Sequence, residues 1–199
     1  MTSWMHEDRL AAVLAVLRDL GARRVLDLGC GDGDLVLRLL REPQIEGVVG
    51  LDLSHAALAR LRGRLAAAQA GPVVTVIHGS MTAPYPAFAG YDCACLVETI
   101  EHLTPAGLPA LERAVFGVLR PRAVVLTTPN AEFNDLLNVP RSRFRHRDHR
   151  FEWDRAQLKA WAGPVAARGG YRVRFADIAG AHPELGGASQ MAVFTLPQG

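Results

Sequence analysis

Apolar positions along the chain recur with two alternating spacings. A helical period, with leucine, valine and alanine every three to four residues, runs over 7–20, 33–42 and 55–69, then from Pro105 to Leu119 and from Asp154 to about Arg168. Between these stretches lie short apolar runs: Arg24–Leu28, Gly47–Leu53, Val73–Ile77, Asp92–Val97 and Ala123–Thr127, followed by Tyr171–Ile178 and Gln190–Leu196. Runs of that length read as strands, and Asp154 reads as the N-cap of the last helix. Strands separated by helices predict an α/β fold, with a mostly parallel seven-stranded sheet and helices on both faces. Residues 129–150 follow neither period and read as a long loop. Loops beyond about 12–15 residues are uncommon and often functional. No repeat, low-complexity tract or linker interrupts the pattern, so one domain over 1–199 is expected.

Composition changes this picture little. The chain has 199 residues, 49% hydrophobic and 21% charged, as folded globular chains do. Its formal charge of +2 is too small to demand a nucleic-acid partner. No window approaches the roughly 18 apolar residues of a membrane span. The segment from Met1 to Asp8 carries acids where a secretory leader has a basic start. Cys30, Cys93 and Cys95 are an odd number of thiols in apolar, strand-like contexts. They read as buried thiols of a reducing compartment, so a cytoplasmic chain is expected.

Chemistry begins at Val25-Leu-Asp-Leu-Gly-Cys-Gly-Asp-Gly-Asp34. An apolar strand ends in an acid, and glycines at 29, 31 and 33 let the backbone turn and approach a ligand closely. The dinucleotide fingerprint requires glycine where Asp34 stands, which argues against a nicotinamide cofactor. Asp27 would repel a pyrophosphate but suits a cationic ligand. Asp52 ends the second strand about 20 residues further on, where ribose hydroxyls are bound in such folds. This pair of features resembles the motif pair of class I S-adenosylmethionine-dependent methyltransferases. The candidate cofactor residues are therefore Asp27, Gly29, Cys30, Gly31 and Asp52. Leu53 with Ser54, and Ser80 with Met81, are added as expected neighbours of the adenine.

A second signal follows the fourth strand, in Val97-Glu98-Thr-Ile-Glu101-His102. On a helical turn, Glu98, Glu101 and His102 share one face at i, i+3 and i+4. Such a trio beside a cofactor crevice reads either as half of a metal site or as a solvated helix start with carboxylates near the helix dipole. The long loop ends in Phe144-Arg-His-Arg-Asp-His149-Arg-Phe-Glu-Trp153 and offers two further imidazoles, His146 and His149. Loops after adjacent parallel strands meet over the same crevice, so one of these histidines is placed to complete a site of two carboxylates and two imidazoles. That donor set suits manganese, magnesium or ferrous iron. Arg141, Arg143, Arg145, Arg147 and Arg150 fall within ten residues, interleaved with Phe144 and Phe151. Cations with aromatics suit single-stranded RNA, and a solvated basic loop is the alternative. Asn130, Glu132 and Asn134 read equally as contacts to a terminal nucleotide or as partners for loop backbone. Glu152 and Trp153 read as anchors of the loop.

Taken together, Glu-x-x-Glu-His after strand four, Thr127-Thr-Pro-Asn-Ala-Glu-Phe-Asn134 after strand five and Asp148-His-Arg-Phe-Glu-Trp153 resemble the small-RNA 3′-terminal 2′-O-methyltransferases. That family comprises plant and animal enzymes acting on small silencing RNAs and bacterial RNA-repair relatives. The resemblance covers essentially the whole chain. It implies that Glu98, Glu101, His102 and His149 hold a manganese ion and that Asp27, Gly29, Gly31, Asp52 and Met81 surround S-adenosylmethionine. Asn130, Arg143, Arg145 and His146 become candidate RNA contacts. The implied substrate is an RNA 3′ end with free 2′ and 3′ hydroxyls, and a polynucleotide kinase-phosphatase is the implied repair partner. Met1 stands one helix before the cofactor strand, so a catalytic half, an excised domain or a naturally short relative is expected, without the upstream RNA-binding domains of plant members or the second large domain of bacterial repair members. Two other functions remain open on the residues: a metal-independent methyltransferase acting on a small molecule or protein, and a non-catalytic cofactor- or RNA-binding module.

Overall fold

The computed structural model describes residues 4–68 and 71–197, so position 69 of the third expected helix lies outside the described residues. Strands β1 (Arg24–Leu28), β2 (Gly47–Asp52), β3 (Val73–His78), β4 (Cys93–Val97), β5 (Ala123–Pro129), β6 (Arg172–Ile178) and β7 (Ser189–Thr195) form one seven-stranded sheet in the order β3-β2-β1-β4-β5-β7-β6. Neighbours among β1 to β5 pair in parallel, and β7 runs antiparallel to both β5 and β6. Helices α1 (Trp4–Asp19), α2 (Asp34–Leu39) and α3 (His55–Ala66) precede α4 (Leu108–Glu112) and α5 (Arg155–Gly169). This is the Rossmann-like class I architecture that the motif pair implies.

Alternation along the strands sends successive side chains to opposite faces, and two cores result. Val25, Cys93, Cys95 and Val125 face one core with Leu10 and Leu17 of α1, Val36 of α2 and Leu61 of α3. Leu26, Ala94, Leu96 and Val124 face the other, with Leu111 of α4 and Leu158 of α5. A fully buried aliphatic side chain contributes about 1.5–3 kcal/mol, so both faces stabilise the sheet. The three cysteines are free and buried, as their contexts suggest. Among the described residues no helix is long and apolar enough to cross a membrane.

Boundaries differ from expectation for local reasons. The fourth strand begins at Cys93, because the Asp92 carboxylate accepts the backbone N–H groups of Arg23 and Arg24. The helix expected from Pro105 to Leu119 is a composite: a 3-10 turn at Pro105–Gly107, then α4, then a π-helical stretch over Arg113–Leu119. The loop after β5 is more structured than expected. It starts with a 3-10 helix over Ala131–Leu137, capped by the Asn130 side chain accepting from Glu132 N–H, and an isolated bridge pairs Asn130 with Trp153. The Asp154 cap of α5 is as expected, a capping box closed by Gln157.

Strand order reverses between β1 and β4. In open α/β sheets ligands bind at that switch point, beyond the carboxyl ends of the strands. The glycine turn, Asp52, Glu98 and the loop after β5 all emerge there.

Candidate active site

The glycine turn after β1 is fixed by its own backbone. Gly29 and Cys30 both donate N–H to the carbonyl of Leu51, and Gly31 donates to Asp52 Oδ2 at 2.9 Å. Gly29 adopts φ +86°, and a Cβ there would stand 2.5 Å from Thr99 Cγ2. Gly31 also has positive φ, but a Cβ on it would meet nothing within 4 Å because it borders open space. That space is a cleft of about 350 Å³ lined by Gly29, Gly31, Leu51, Asp52, Leu53, Gly79, Met81, Glu98, Thr99 and His102. Asp52 also accepts Ser54 N–H on its Oδ1. Leu53 stands 63% exposed on the rim, apolar surface available to an adenine.

Several expected cofactor residues hold other posts. The Cys30 thiol turns into the core, where burial raises its pKa, and only its backbone belongs to the turn. Asp27 is buried behind the turn and absent from the cleft lining. Burial, and secondarily the charge of Asp52, push its carboxyl up to about 7. Ser80 spends its hydroxyl on Thr82, leaving Met81 as the cleft contact. Ser54 caps α3 through Ala57 N–H. Thr99, which the sequence reading passed over, lines the cleft with a buried hydroxyl that has no partner.

The metal-type residues gather beside the same cleft, which Glu98 and His102 line. Glu101, His102 and His149 offer ligand atoms that all lie within 4.8 Å of one another. The rings of His102 and His149 meet edge to face at 4.9 Å. A backbone bond from Arg150 N–H to the Glu101 carbonyl, 2.7 Å, pins the loop against the turn that carries the carboxylates. Glu98 is not on a shared helical face, which corrects the expected i, i+3, i+4 arrangement. It takes a left-handed φ of 51°, and the 3-10 turn starts only at Ile100. A non-glycine residue held there carries strain, which persists where surrounding structure over-determines it. Glu98 stands outside the 4.8 Å group, with Oε2 3.1 Å from Arg9 and accepting from Ser189 Oγ at 3.3 Å.

Both carboxylates are electrostatically frustrated. Burial raises the Glu98 carboxyl, opposed chiefly by Arg9. Burial raises Glu101 well above the carboxylate range, and the charge of Glu98 raises it further. Glu98 Oε1 and Glu101 Oε1 are buried without any partner. His102 is pushed down, first by burial and then by His149, which keeps its imidazole neutral. Buried polar atoms without partners cost free energy, and a cation among them would remove that cost. The donor set therefore fits a hard or borderline divalent ion.

The RNA expectations divide. Asn130 is fully buried, its amide donating to the carbonyls of Leu185 and Gly187, so it is a structural residue and the expected nucleotide contact is withdrawn. Arg145 is likewise corrected: its guanidinium is spent on Asn134 Oδ1 and on the carbonyls of Ala188 and Asn130, both of which also accept a backbone N–H. Phe151, expected among the stacking aromatics, packs in the core against Trp153. Arg143, Phe144, His146, Arg147 and Arg150 remain on the surface. The His146 ring lies 6.1 Å from His102 and 5.7 Å from His149, at the edge of the cluster but outside the 4.8 Å group.

Known proteins give the same frame. A family model described as a methyltransferase domain matches residues 25–122. The chain is 37% identical to the methyltransferase domain of bacterial CtHen1-CN, covering 96% of this chain and 100% of that one, with TM-score 0.86. It is 32% identical to the small RNA methyltransferase HEN1, covering 96% of this chain and 26% of that one, with TM-score 0.89. A relative from Gallus gallus named small RNA 2′-O-methyltransferase is 35% identical over 96% of this chain and 53% of its own. The chain thus spans about half the length of the curated relatives it matches. With the whole of a solved methyltransferase domain matched at such identity, the chain belongs to the small RNA 2′-O-methyltransferase family.

Proposed function

We propose that the protein moves a methyl group from S-adenosylmethionine to the 2′-hydroxyl of the 3′-terminal ribose of RNA, in a reaction that depends on manganese, with magnesium as a substitute. The observation that carries this reading is the pair of buried, partnerless oxygens on Glu98 and Glu101, with Glu101 grouped with His102 and His149, and with Glu98 and His102 lining the cofactor cleft. Glu98, Glu101, His102 and His149 would hold the ion, which supplies Lewis-acidic charge that makes a ribose hydroxyl a better nucleophile and orients it. S-adenosylmethionine supplies the electrophilic methyl.

This chain's own residues do the rest. Asp52 and the turn at Gly29–Gly31 orient the cofactor ribose, Met81 and Leu53 cover its base, and Thr99 and Glu98 wall the cleft beside it. His146, at the rim and outside the ligand group, keeps a lone pair and is placed to take the proton. Arg143 and Arg147 draw the phosphate backbone toward the site. A terminal ribose alone presents adjacent 2′ and 3′ hydroxyls, so ligands that grip both would select an end without reading sequence. Such ends are what a phosphatase leaves, which supports coupling to an end-healing kinase-phosphatase partner.

Labelled methyl transfer to a short RNA, with manganese or with chelator, tests the reading. Methylation is expected on a diol end with metal only. A 3′-deoxy end, which keeps the nucleophile but loses half the grip, should lose most activity because positioning and activation fail together. Full activity on that end, or methylation at internal riboses, overturns end recognition, and turnover in chelator overturns the metal.

A further inference from the structure

Three of the four residues proposed to hold the ion are gripped from behind by other side chains. Glu101 Oε2 accepts from Thr128 Oγ1 at 3.0 Å, which leaves Oε1 bare. Glu98 Oε2 lies 3.1 Å from the Arg9 guanidinium and accepts from Ser189 Oγ, which leaves its Oε1 bare. Arg9 reaches from α1, and its Nε and second nitrogen both donate to Ser189 Oγ, at 3.2 and 3.1 Å. His149 Nδ1 lies 2.6 Å from Glu152 Oε1. A carboxylate only accepts, so Nδ1 carries the proton there and Nε2 keeps its lone pair. The Glu152 side chain is 1% exposed and is itself fixed by the Asn134 amide and by Arg145 N–H.

We propose that Arg9 and Glu152 are positioning residues of the metal site, each gripping the rear atom of one ligand so that its other atom is presented to the ion. The proposal rests on the metal reading above. Partners of this kind fix ligand direction and tautomer, and losing one costs about 10–100-fold in metal affinity. Arg9 serves Glu98 in particular. Its charge offsets that of a carboxylate held in a strained backbone conformation, and its fork with Ser189 sets which oxygen points forward. Helix α1 thereby joins the site, although it precedes every cofactor motif.

The test is manganese binding to the full chain, read from the loss of the free-ion electron paramagnetic resonance signal. Arg9→Ala and Glu152→Gln should each raise the manganese Kd about 10–100-fold, while S-adenosylmethionine affinity by calorimetry stays at the wild-type value. Arg9→Lys should restore part of the loss. Activity should recover at high manganese, giving a raised manganese requirement with kcat largely kept. If Arg9→Ala fails to fold, Ser189→Ala removes the hydroxyl that bonds both Arg9 and Glu98, leaving only their direct contact, and should still weaken manganese binding. Folded variants with the wild-type manganese Kd overturn the proposal and leave the metal reading standing, even if their melting temperatures fall. A wild-type protein that binds no manganese overturns both.

Discussion

Glu101→Gln should make the metal-free protein more stable and unable to hold the ion. Glu101 is fully buried, Thr128 satisfies one oxygen, and the other faces no donor while Glu98 lies close by. Glutamine keeps an acceptor for Thr128 and removes the charge. A buried polar atom without a partner costs about 1–3 kcal/mol, and more when charged. For a chain of this size each kcal/mol moves Tm by about 2–4 °C. The gain depends on pH in a defined direction. Burial raises the folded carboxyl above its unfolded value, so the penalty is absent below about pH 4.3, where both states are protonated, and grows as pH rises and only the unfolded chain ionises. The difference between variant and wild type should therefore be large near about pH 8 and vanish near about pH 4. Added manganese reverses the order. At a hundredfold excess over Kd it stabilises the wild type by about 2.7 kcal/mol and the variant hardly at all. Thermal melts at several pH values, with and without manganese, supply the measurement. A variant less stable than wild type at neutral pH without metal would refute the reasoning, because the carboxylate would then already be satisfied.

Three other outcomes follow from the cleft and its rim. Asp52→Ala should weaken S-adenosylmethionine binding by about 1–3 kcal/mol in calorimetry, and unchanged affinity in a folded protein removes Asp52 from the cofactor site. Gly29→Ala forces a side chain into φ +86° with Cβ 2.5 Å from Thr99; the conformation alone costs roughly 1–2 kcal/mol, so a wild-type melting temperature would contradict the described turn. Replacing Arg143 and Arg147 together with alanine should lower the salt dependence of RNA binding by roughly 2 in log–log slope, and an unchanged slope would take both away from the phosphates.

The sequence showed most clearly the features whose chemistry is local. An acid-ended strand running into glycines needs no distant partner to be recognised, whereas the trio Glu98, Glu101 and His102 reads equally as a solvated helix start until the loop histidines are set beside it. What stayed hidden depends on contacts far along the chain. Arg9 reads as one charge on an amphipathic helix until folding brings it to Glu98. Arg145 reads as one more surface cation, yet the fold brings its guanidinium to Asn134 and to the carbonyls of Asn130 and Ala188, the last 43 positions away. Asn130 follows the same logic. The left-handed Glu98 is set by the packing of β4 beside β5, where its N–H meets the Thr127 carbonyl, and residue type alone gave no sign of it. The π-helical stretch kept the apolar period of an ordinary helix and so was invisible to it.

The bond between Arg150 N–H and the Glu101 carbonyl, with the Asn130–Trp153 bridge, divides the loop after β5 into two parts with different freedoms. From His146 to Trp153 the chain is fastened to the catalytic wall, and a length change there would displace His149. The preceding tip is fastened at its start by Val139 N–H on the Asn134 carbonyl, and from Arg141 to Phe144 it is exposed. Insertions or grafts between those points have no ligand to move. The tip is therefore the place where length and sequence can be redesigned while the proposed centre is left in place.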